Sequence, residues 1–368
     1  MRQFKLFLIL LCIGLARPAA SAADSPEDIH YYSADTLPLY GKVMQADGPR
    51  YRRLPESLHG VVREAVWNLA CHSAGLYVRF RTDAPEIHAR WTNTGHHMAH
   101  MADCGTGGLD LYTRIDGEWR FVGSAFGPGK PSKEHYKKMV GSMKPEMREY
   151  LLYLSLYDEV KTLELGIPEG YVIEQPLLDS PHDAKPIVMY GSSILQGGCC
   201  SRPGMAFTNI LGRRFDRTVI NLGFSGNAHV DLEVAEFMAQ VKDPAVFVLD
   251  YCPNAHPEWI DERGEAFFRI LRDAHPDVPV VFVEIPQYPH TSVDTWRAVE
   301  VSSRNASQKA LYRKLKKAGE KRIYYLSNDG MIGYDAEATV DGVHFTDLGM
   351  VRYADHITPV LKRALRRR

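Results

Sequence analysis

Four short segments carry side chains that together could cleave an ester. Near the C-terminus, Asp341-Gly-Val-His344 sets a carboxylate and an imidazole three residues apart. On one turn such a pair can hydrogen-bond, the Asp fixing the ring's tautomer and stabilising the imidazolium formed when it takes a proton. Upstream, Tyr190-Gly-Ser-Ser-Ile194 offers a hydroxyl for that base to activate. Between them lie Asn221-Leu-Gly-Phe-Ser-Gly-Asn227 and Asp250-Tyr-Cys-Pro-Asn254, sources of backbone and side-chain amide donors for a developing oxyanion. Each segment alone also has a plain structural reading. A Ser-Ser pair caps a following helix, and a loop asparagine such as Asn254 bonds its own backbone. Gly223 and Gly226 permit tight turns, and Asp341 and His344 can pair on a surface ahead of the last helix. Four such segments in one chain order favour the chemical reading.

Those segments need a scaffold that brings them to one rim. After Pro186 the chain alternates short, unbroken apolar runs with helical stretches. The runs are 186–190, 218–222, 245–251, 278–284 and 322–326, and the helices are expected at 202–214, 231–241, 258–274 and 302–318. Unbroken apolar strands are buried on both faces, as in a parallel sheet. Five of them with helices between predict an open, doubly wound, flavodoxin-like three-layer α/β/α domain with its site at the carboxyl ends of the strands. Before Pro181 the runs at 76–81, 86–92, 109–113, 119–124 and 149–157 alternate apolar and polar residues and are punctuated by Asp116-Gly117 and Pro168-Glu-Gly170. That pattern predicts an antiparallel, jelly-roll-like β-sandwich. The stretch from Gly127 to Pro145, rich in Pro, Gly and Lys, is expected to be a long loop.

The first two dozen residues have the charge, apolar stretch and Ala20-Ser21-Ala22 site of a secretory signal. The expected division is therefore a signal peptide at 1–22, a β-sandwich at 23–182 and an α/β domain at 183–368. A secreted protein follows, periplasmic in a Gram-negative source, and no later segment has the length of a transmembrane helix. With 44 Lys and Arg against 45 Asp and Glu, the net charge of −1 argues against nucleic acid as a partner. Beyond the signal remain Cys71, Cys104, Cys199, Cys200 and Cys252, an odd set that leaves at least one free thiol. A disulfide beside the site and buried free thiols both stay open. His96, His97 and His100, with Asp103 and Cys104 behind them, invite a zinc reading. A loop facing solvent or substrate is preferred, since no Glu stands where a zinc hydrolase needs its base, and no metal is expected.

In the segments quoted first, the C-terminal half resembles the SGNH, or GDSL-type, hydrolase superfamily, whose four blocks centre on Ser, Gly, Asn and His. The nucleophile block, usually G-D-S, reads Gly191-Ser192-Ser193, so the nucleophile maps to Ser193, and Ser192 stands in place of the usual Asp. Gly226 maps to the glycine whose N–H joins the oxyanion hole, with Gly223 the other candidate. Asn254 maps to the side-chain donor, although the usual G-x-N-D reads Cys-Pro-Asn-Ala, and Asp341 and His344 match the last block. Gly108 to Tyr112 resembles the G-x-D-L-Y element of a β-rich domain that precedes some bacterial SGNH esterases, with Asp110 and Tyr112 read as structural. The resemblance implies a secreted serine esterase that removes acyl groups, most simply acetyl, from a carbohydrate. Ser193, His344 and Asp341 would be the triad, and the N–H groups of Ser193 and Gly226 with the Asn254 amide would be the oxyanion donors. Such a triad generates its own nucleophile and implies no cofactor. A lipolytic or thioester-cleaving enzyme with the same machinery, and an inactive glycan-binding protein, are the alternatives.

Overall fold

The computed structural model describes residues 29–43, 48–127, 134–177 and 185–366; the expected signal peptide lies outside the described residues. The first half of the chain contributes strands β1 (Ile29–Ser33), β2 (Leu39–Tyr40), β3 (Tyr77–Thr82), β4 (Ile87–Asn93) and β5 (Leu109–Ile115). It continues with β6 (Glu118–Ala125), β7 (Glu134–Val140), β8 (Arg148–Tyr153), β9 (Val160–Pro168) and β10 (Ile173–Glu174). They form two antiparallel sheets, ordered β1-β9-β4-β7 and β10-β3-β8-β5-β6, with β2 on β3. Strand side chains alternate between faces. Val78, Phe80, Leu111 and Leu152 of the larger sheet therefore meet Ala89, Trp91, Leu163 and Leu165 of the smaller one in a shared core.

The other face of the larger sheet carries Tyr77, Tyr112, Leu151 and Tyr153. It docks on the second half of the chain, where Tyr77 Oη lies 3.0 Å from Thr218 Oγ1 and Tyr153 Oη donates to the Asn209 carbonyl at 3.2 Å. The expected loop at 127–145 is corrected: part of it is β7, an edge strand on β4 that buries only His135 and Met139. Its exposed Lys137 and Lys138 suit a sheet edge open to water.

The second half holds β11 (Ile187–Gly191), β12 (Val219–Gly223), β13 (Val246–Asp250), β14 (Val280–Val283) and β15 (Ile323–Leu326), all parallel, in the order β12-β11-β13-β14-β15. That is the flavodoxin-like order, with the switch point between β11 and β13. Every residue of β11 to β14 is buried, as the unbroken apolar runs require. In chain order the helices are α1 (Glu64–Ala70), α2 (Asp103–Gly107), α3 (Ser193–Gln196), α4 (Phe207–Phe215) and α5 (Leu232–Ala239), then α6 (Pro257–Ala274), α7 (Thr295–Lys317) and α8 (Asp347–Ala364). α7 begins at Thr295 and not at Ser302, because Asp294 caps it by accepting from the Arg297 N–H.

One segment of the first half does not belong to the sandwich core. Leu54, Val62, Val66, Trp67, Ala70 and Ala74 pack in the same apolar cluster as β11 to β14. This brings Arg53 and Arg63 to the end of β12. Among the described residues, Cys71, Cys104, Cys199, Cys200 and Cys252 are all free thiols. Among the described residues, no helix is long and apolar enough to cross a membrane.

Candidate active site

β11 ends at Gly191 and the chain turns at once into α3. Ser192 is the N-cap, its fully buried hydroxyl accepting from the Ile194 N–H at 3.3 Å. Capping thus accounts for Ser192 and leaves Ser193 free to face the rim. Ser193 Oγ lies 2.9 Å from Nε2 of His344. Its carbonyl accepts from the Tyr157 hydroxyl at 3.1 Å and from the Gly198 N–H at 2.8 Å, which ties the turn to the first half of the chain.

The opposing turn is closed by a bridge between Thr339 and Phe345 and by the Val340 N–H donating to the His344 carbonyl at 2.8 Å. Phe345 is wholly buried and anchors it, and Thr346 caps α8 directly afterwards. Asp341 Oδ1 accepts from the backbone N–H groups of Val343 and His344 at 3.0 and 2.8 Å, while Oδ2 lies 2.7 Å from His344 Nδ1. Burial pushes the Asp341 carboxyl up, but the bonds from the His344 side chain, the His344 N–H and the Val343 N–H outweigh it and hold the pKa at about 2. The carboxylate is therefore ionised at any ordinary pH, and the imidazole nitrogen facing it is held as the N–H. A hydroxyl, an imidazole and a carboxylate so linked can pass a proton from oxygen to ring while the hydroxyl attacks a carbonyl.

Around this chain stand candidate anion donors. The Ser193 N–H opens α3, where helical geometry gives it no intrahelical acceptor. Gly226 has φ of +68° with nothing within 4 Å of where a Cβ would lie, so only its backbone conformation demands glycine. Gly223 differs: a Cβ there would lie 2.3 Å from the Gln196 nitrogen, and its own N–H already donates to Asn221 Oδ1 at 2.9 Å. Gly223 lets β12 approach the nucleophile turn, whereas the Gly226 N–H has no partner among the described residues. Asn254 turns Oδ1 toward the Ala228 N–H at 3.4 Å, and its Nδ2 has no partner among the described residues. The structure thus brings Ser193, His344 and Asp341 into one bonded chain, with Gly226 and Asn254 on loops that touch each other.

What holds the loop after β12 was not legible in the sequence. Arg53, fully buried, donates to the carbonyls of Leu69, His72, Asn221 and Gly223 at 2.6, 2.9, 3.2 and 2.5 Å. Burial without a carboxylate partner lowers its pKa to about 9. Arg63 spans Asp231 at 2.5 and 3.1 Å and Asn227 at 3.0 Å (Oδ1) and 2.7 Å (carbonyl). Gln196 completes the support by accepting from the Ser225 N–H at 3.1 Å and donating toward His72 Nδ1 at 3.0 Å. Burial, with the charge of Arg53, holds the His72 pKa down at about 3, so the ring is neutral and can accept. A lone arginine in a loop normally reads as a solvated charge, and no local spacing marks these two as buried.

The GxDLY element grips the loop after α3. Asp110 accepts from Arg202 Nη1 and the Gly204 N–H, both at 2.7 Å, and from the Ser124 hydroxyl at 2.6 Å, while Arg202 also donates to the Tyr112 hydroxyl at 2.7 Å. The three histidines of the 96–100 loop go separate ways. The His96 ring lies 5.7 Å from that of His72, His97 pairs with Asp103 at 2.7 Å, and the His100 ring sits 5.5 Å from that of His344.

A parallel sheet in this order with a Ser-His-Asp chain at its carboxyl rim is the SGNH type of hydrolase architecture. The model of the GDSL-like lipase/acylhydrolase family matches residues 184–362, and that of the N-terminus of SGNH-hydrolase-type esterases matches residues 29–173. A protein from Bacteroides ovatus described as a GDSL-like lipase is 35% identical, with 92% of this chain and 98% of that one covered and a TM-score of 0.86. The chain belongs to the GDSL-like lipase/acylhydrolase family. Two more distant structures share the fold. A salicylyl-acyltransferase from a tetracycline biosynthetic pathway is 15% identical, with 93% and 100% of the two chains covered and a TM-score of 0.74. A family two carbohydrate esterase from Cellvibrio japonicus is 11% identical, with 92% and 98% covered and a TM-score of 0.57. No curated protein matches the chain.

Proposed function

We propose that this hydrolase is an exported serine esterase that removes small acyl groups, most simply acetyl, from a carbohydrate. The observation that carries the reading is the bonded chain of Ser193 Oγ to His344 Nε2 at 2.9 Å and His344 Nδ1 to Asp341 Oδ2 at 2.7 Å. His344 takes the hydroxyl proton as Ser193 attacks the ester carbonyl. The N–H groups of Ser193 and Gly226 and the amide of Asn254 receive the negative charge that develops on oxygen. Collapse of the tetrahedral intermediate expels the sugar alcohol, which takes its proton from His344, and water then releases the acid by the same route.

The small acyl group rests on the resemblance of the triad segments to esterases of this type. The carbohydrate leaving group rests on the resemblance of both halves to secreted esterases of this type, and the carbohydrate esterase that shares the fold agrees with it. Export rests on the N-terminal sequence pattern.

Hydrolysis of p-nitrophenyl acetate by wild type and Ser193→Ala tests the assignment, because wild-type turnover by the variant would end it. A series from acetate to octanoate esters tests the acyl group; a rise in kcat/KM with chain length would favour a lipolytic enzyme. Acetate release from a panel of acetylated polysaccharides tests the carbohydrate. Sequencing the N-terminus of protein recovered from a periplasmic fraction tests export, with cleavage expected after Ala22.

A further inference from the structure

Three stretches of chain that are far apart in sequence bring soft ligands together at the mouth of the site. His100 comes from the loop before α2, Cys199 from the turn after α3 and His344 from the turn before α8, and one ligand atom of each lies within 4.8 Å of the others. This set differs from the His96, His97 and His100 cluster that the sequence suggests, of which only His100 takes part. We propose that His100, Cys199 and His344 form a binding site for a thiophilic divalent cation of the zinc type, whose occupancy switches the hydrolase off.

The donor set fits. Two imidazoles and a thiolate are ligands that zinc takes in tetrahedral sites, with a fourth position left for water. Bonds of about 2.0–2.1 Å to nitrogen and about 2.3 Å to sulfur put such ligand atoms roughly 3.5 Å apart, so they need to close by about 1 Å. His100 is exposed on a turn and can supply the movement, whereas Cys199 is buried. Cys199 is also held at φ of +70°, a left-handed conformation that a non-glycine residue adopts only when its surroundings impose it.

His344 is prepared as a ligand by the bond that prepares it as a base. Its Nδ1 faces the Asp341 carboxylate at 2.7 Å, the same outer support that orients metal-bound imidazoles and raises their basicity. That leaves Nε2 for a cation. Without one, Cys199 is a buried free thiol. Coordination exchanges its S–H for a sulfur–metal bond and releases the proton to solvent, with no change of oxidation state.

The inhibitory consequence comes from one shared atom. Nε2 of His344 lies 2.9 Å from Ser193 Oγ, so a cation there competes with the serine proton. Binding itself does not depend on the esterase reading, but inhibition does.

Titration of Co2+ into the full chain is the test. Binding at this site should give a thiolate-to-cobalt charge-transfer band at one equivalent, displaced by Zn2+. The band should persist in Cys104→Ser and in Ser193→Ala, and disappear in Cys199→Ser. Because Ser193→Ala cannot hydrolyse yet keeps the site, its band separates failure of the site from failure of the esterase reading. His100→Ala should weaken Zn2+ binding by about tenfold or more, and the midpoint of Zn2+ inhibition in a chelator-buffered p-nitrophenyl acetate assay should rise as much in Cys199→Ser. Absence of the band, its retention in Cys199→Ser, or equal inhibition of wild type, Cys199→Ser and His100→Ala would overturn the proposal.

Discussion

Replacing Arg63 with alanine asks whether the loop carrying Gly226 is held in place from the first half of the chain. The guanidinium makes two bonds to Asp231 and two to Asn227, and Asp231 is almost wholly enclosed, its side chain 4% exposed against 38% for Arg63. Removing one member of a buried pair typically costs about 3–5 kcal/mol. Here the loss should be smaller. Asp231 keeps its bonds from the Tyr190 hydroxyl at 2.9 Å and the His229 N–H at 3.2 Å, and water can enter where Arg63 was. A cost of about 2 kcal/mol corresponds to a Tm lowered by roughly 2–4 °C in a chain of this size. Displacement of the Gly226 N–H would weaken a proposed oxyanion donor, so kcat should fall by about tenfold to a hundredfold while KM changes little. Thermal unfolding and steady-state hydrolysis of p-nitrophenyl acetate, run well below the lowered Tm, measure both effects. Arg63→Lys should recover only part of each, because an ammonium cannot span Asp231 and Asn227 at once. A normal kcat in Arg63→Ala beside a lowered Tm would show that the loop is positioned by other contacts, and the reasoning would fail.

The two glycines of the loop after β12 should respond differently to alanine. Gly226→Ala meets open space, keeps its N–H and pays only left-handed strain of about 1–2 kcal/mol, so it should fold and lose activity only as far as that strain shifts the N–H. Gly223→Ala would push a methyl against the Gln196 backbone and should be the less stable of the two in urea; equal midpoints would contradict this account. Asn254→Ala should lower kcat by about a hundredfold or more with little change in KM, and a change confined to KM would remove Asn254 from the oxyanion site. Burial lifts the pKa of Asp250 to about 7 against the opposing bond from the Tyr353 hydroxyl. Its folded pKa lies above the unfolded value of about 3.9, so the stability it contributes is complete below that pH and is lost as pH rises through about 7. Asp250→Asn should therefore gain stability relative to wild type between about pH 4 and pH 7, and a pH-independent difference in urea midpoints would refute it.

The parallel sheet was legible because β11 to β14 are buried on both faces and so appear as unbroken apolar runs. The site blocks were legible because strand ends in such a sheet share one rim. β7 was hidden because an edge strand with three exposed residues in succession, Tyr136, Lys137 and Lys138, resembles a solvated loop. α1 was missed because it is seven residues long, too short to establish a helical period. Arg53, Arg63, Tyr157 and His100 act across the fold, and their partners lie far away in sequence. Only coordinates can show that Arg53 is surrounded by four carbonyls or that His100 faces His344.

The most direct measurement of the central claim is covalent labelling with a reactive organophosphate followed by peptide mass spectrometry. The account requires one adduct per chain, on Ser193, with a rate that collapses in His344→Ala and an adduct that is missing in Ser193→Ala. Labelling of Ser192, or labelling of Ser193 that proceeds unchanged without His344, would contradict it.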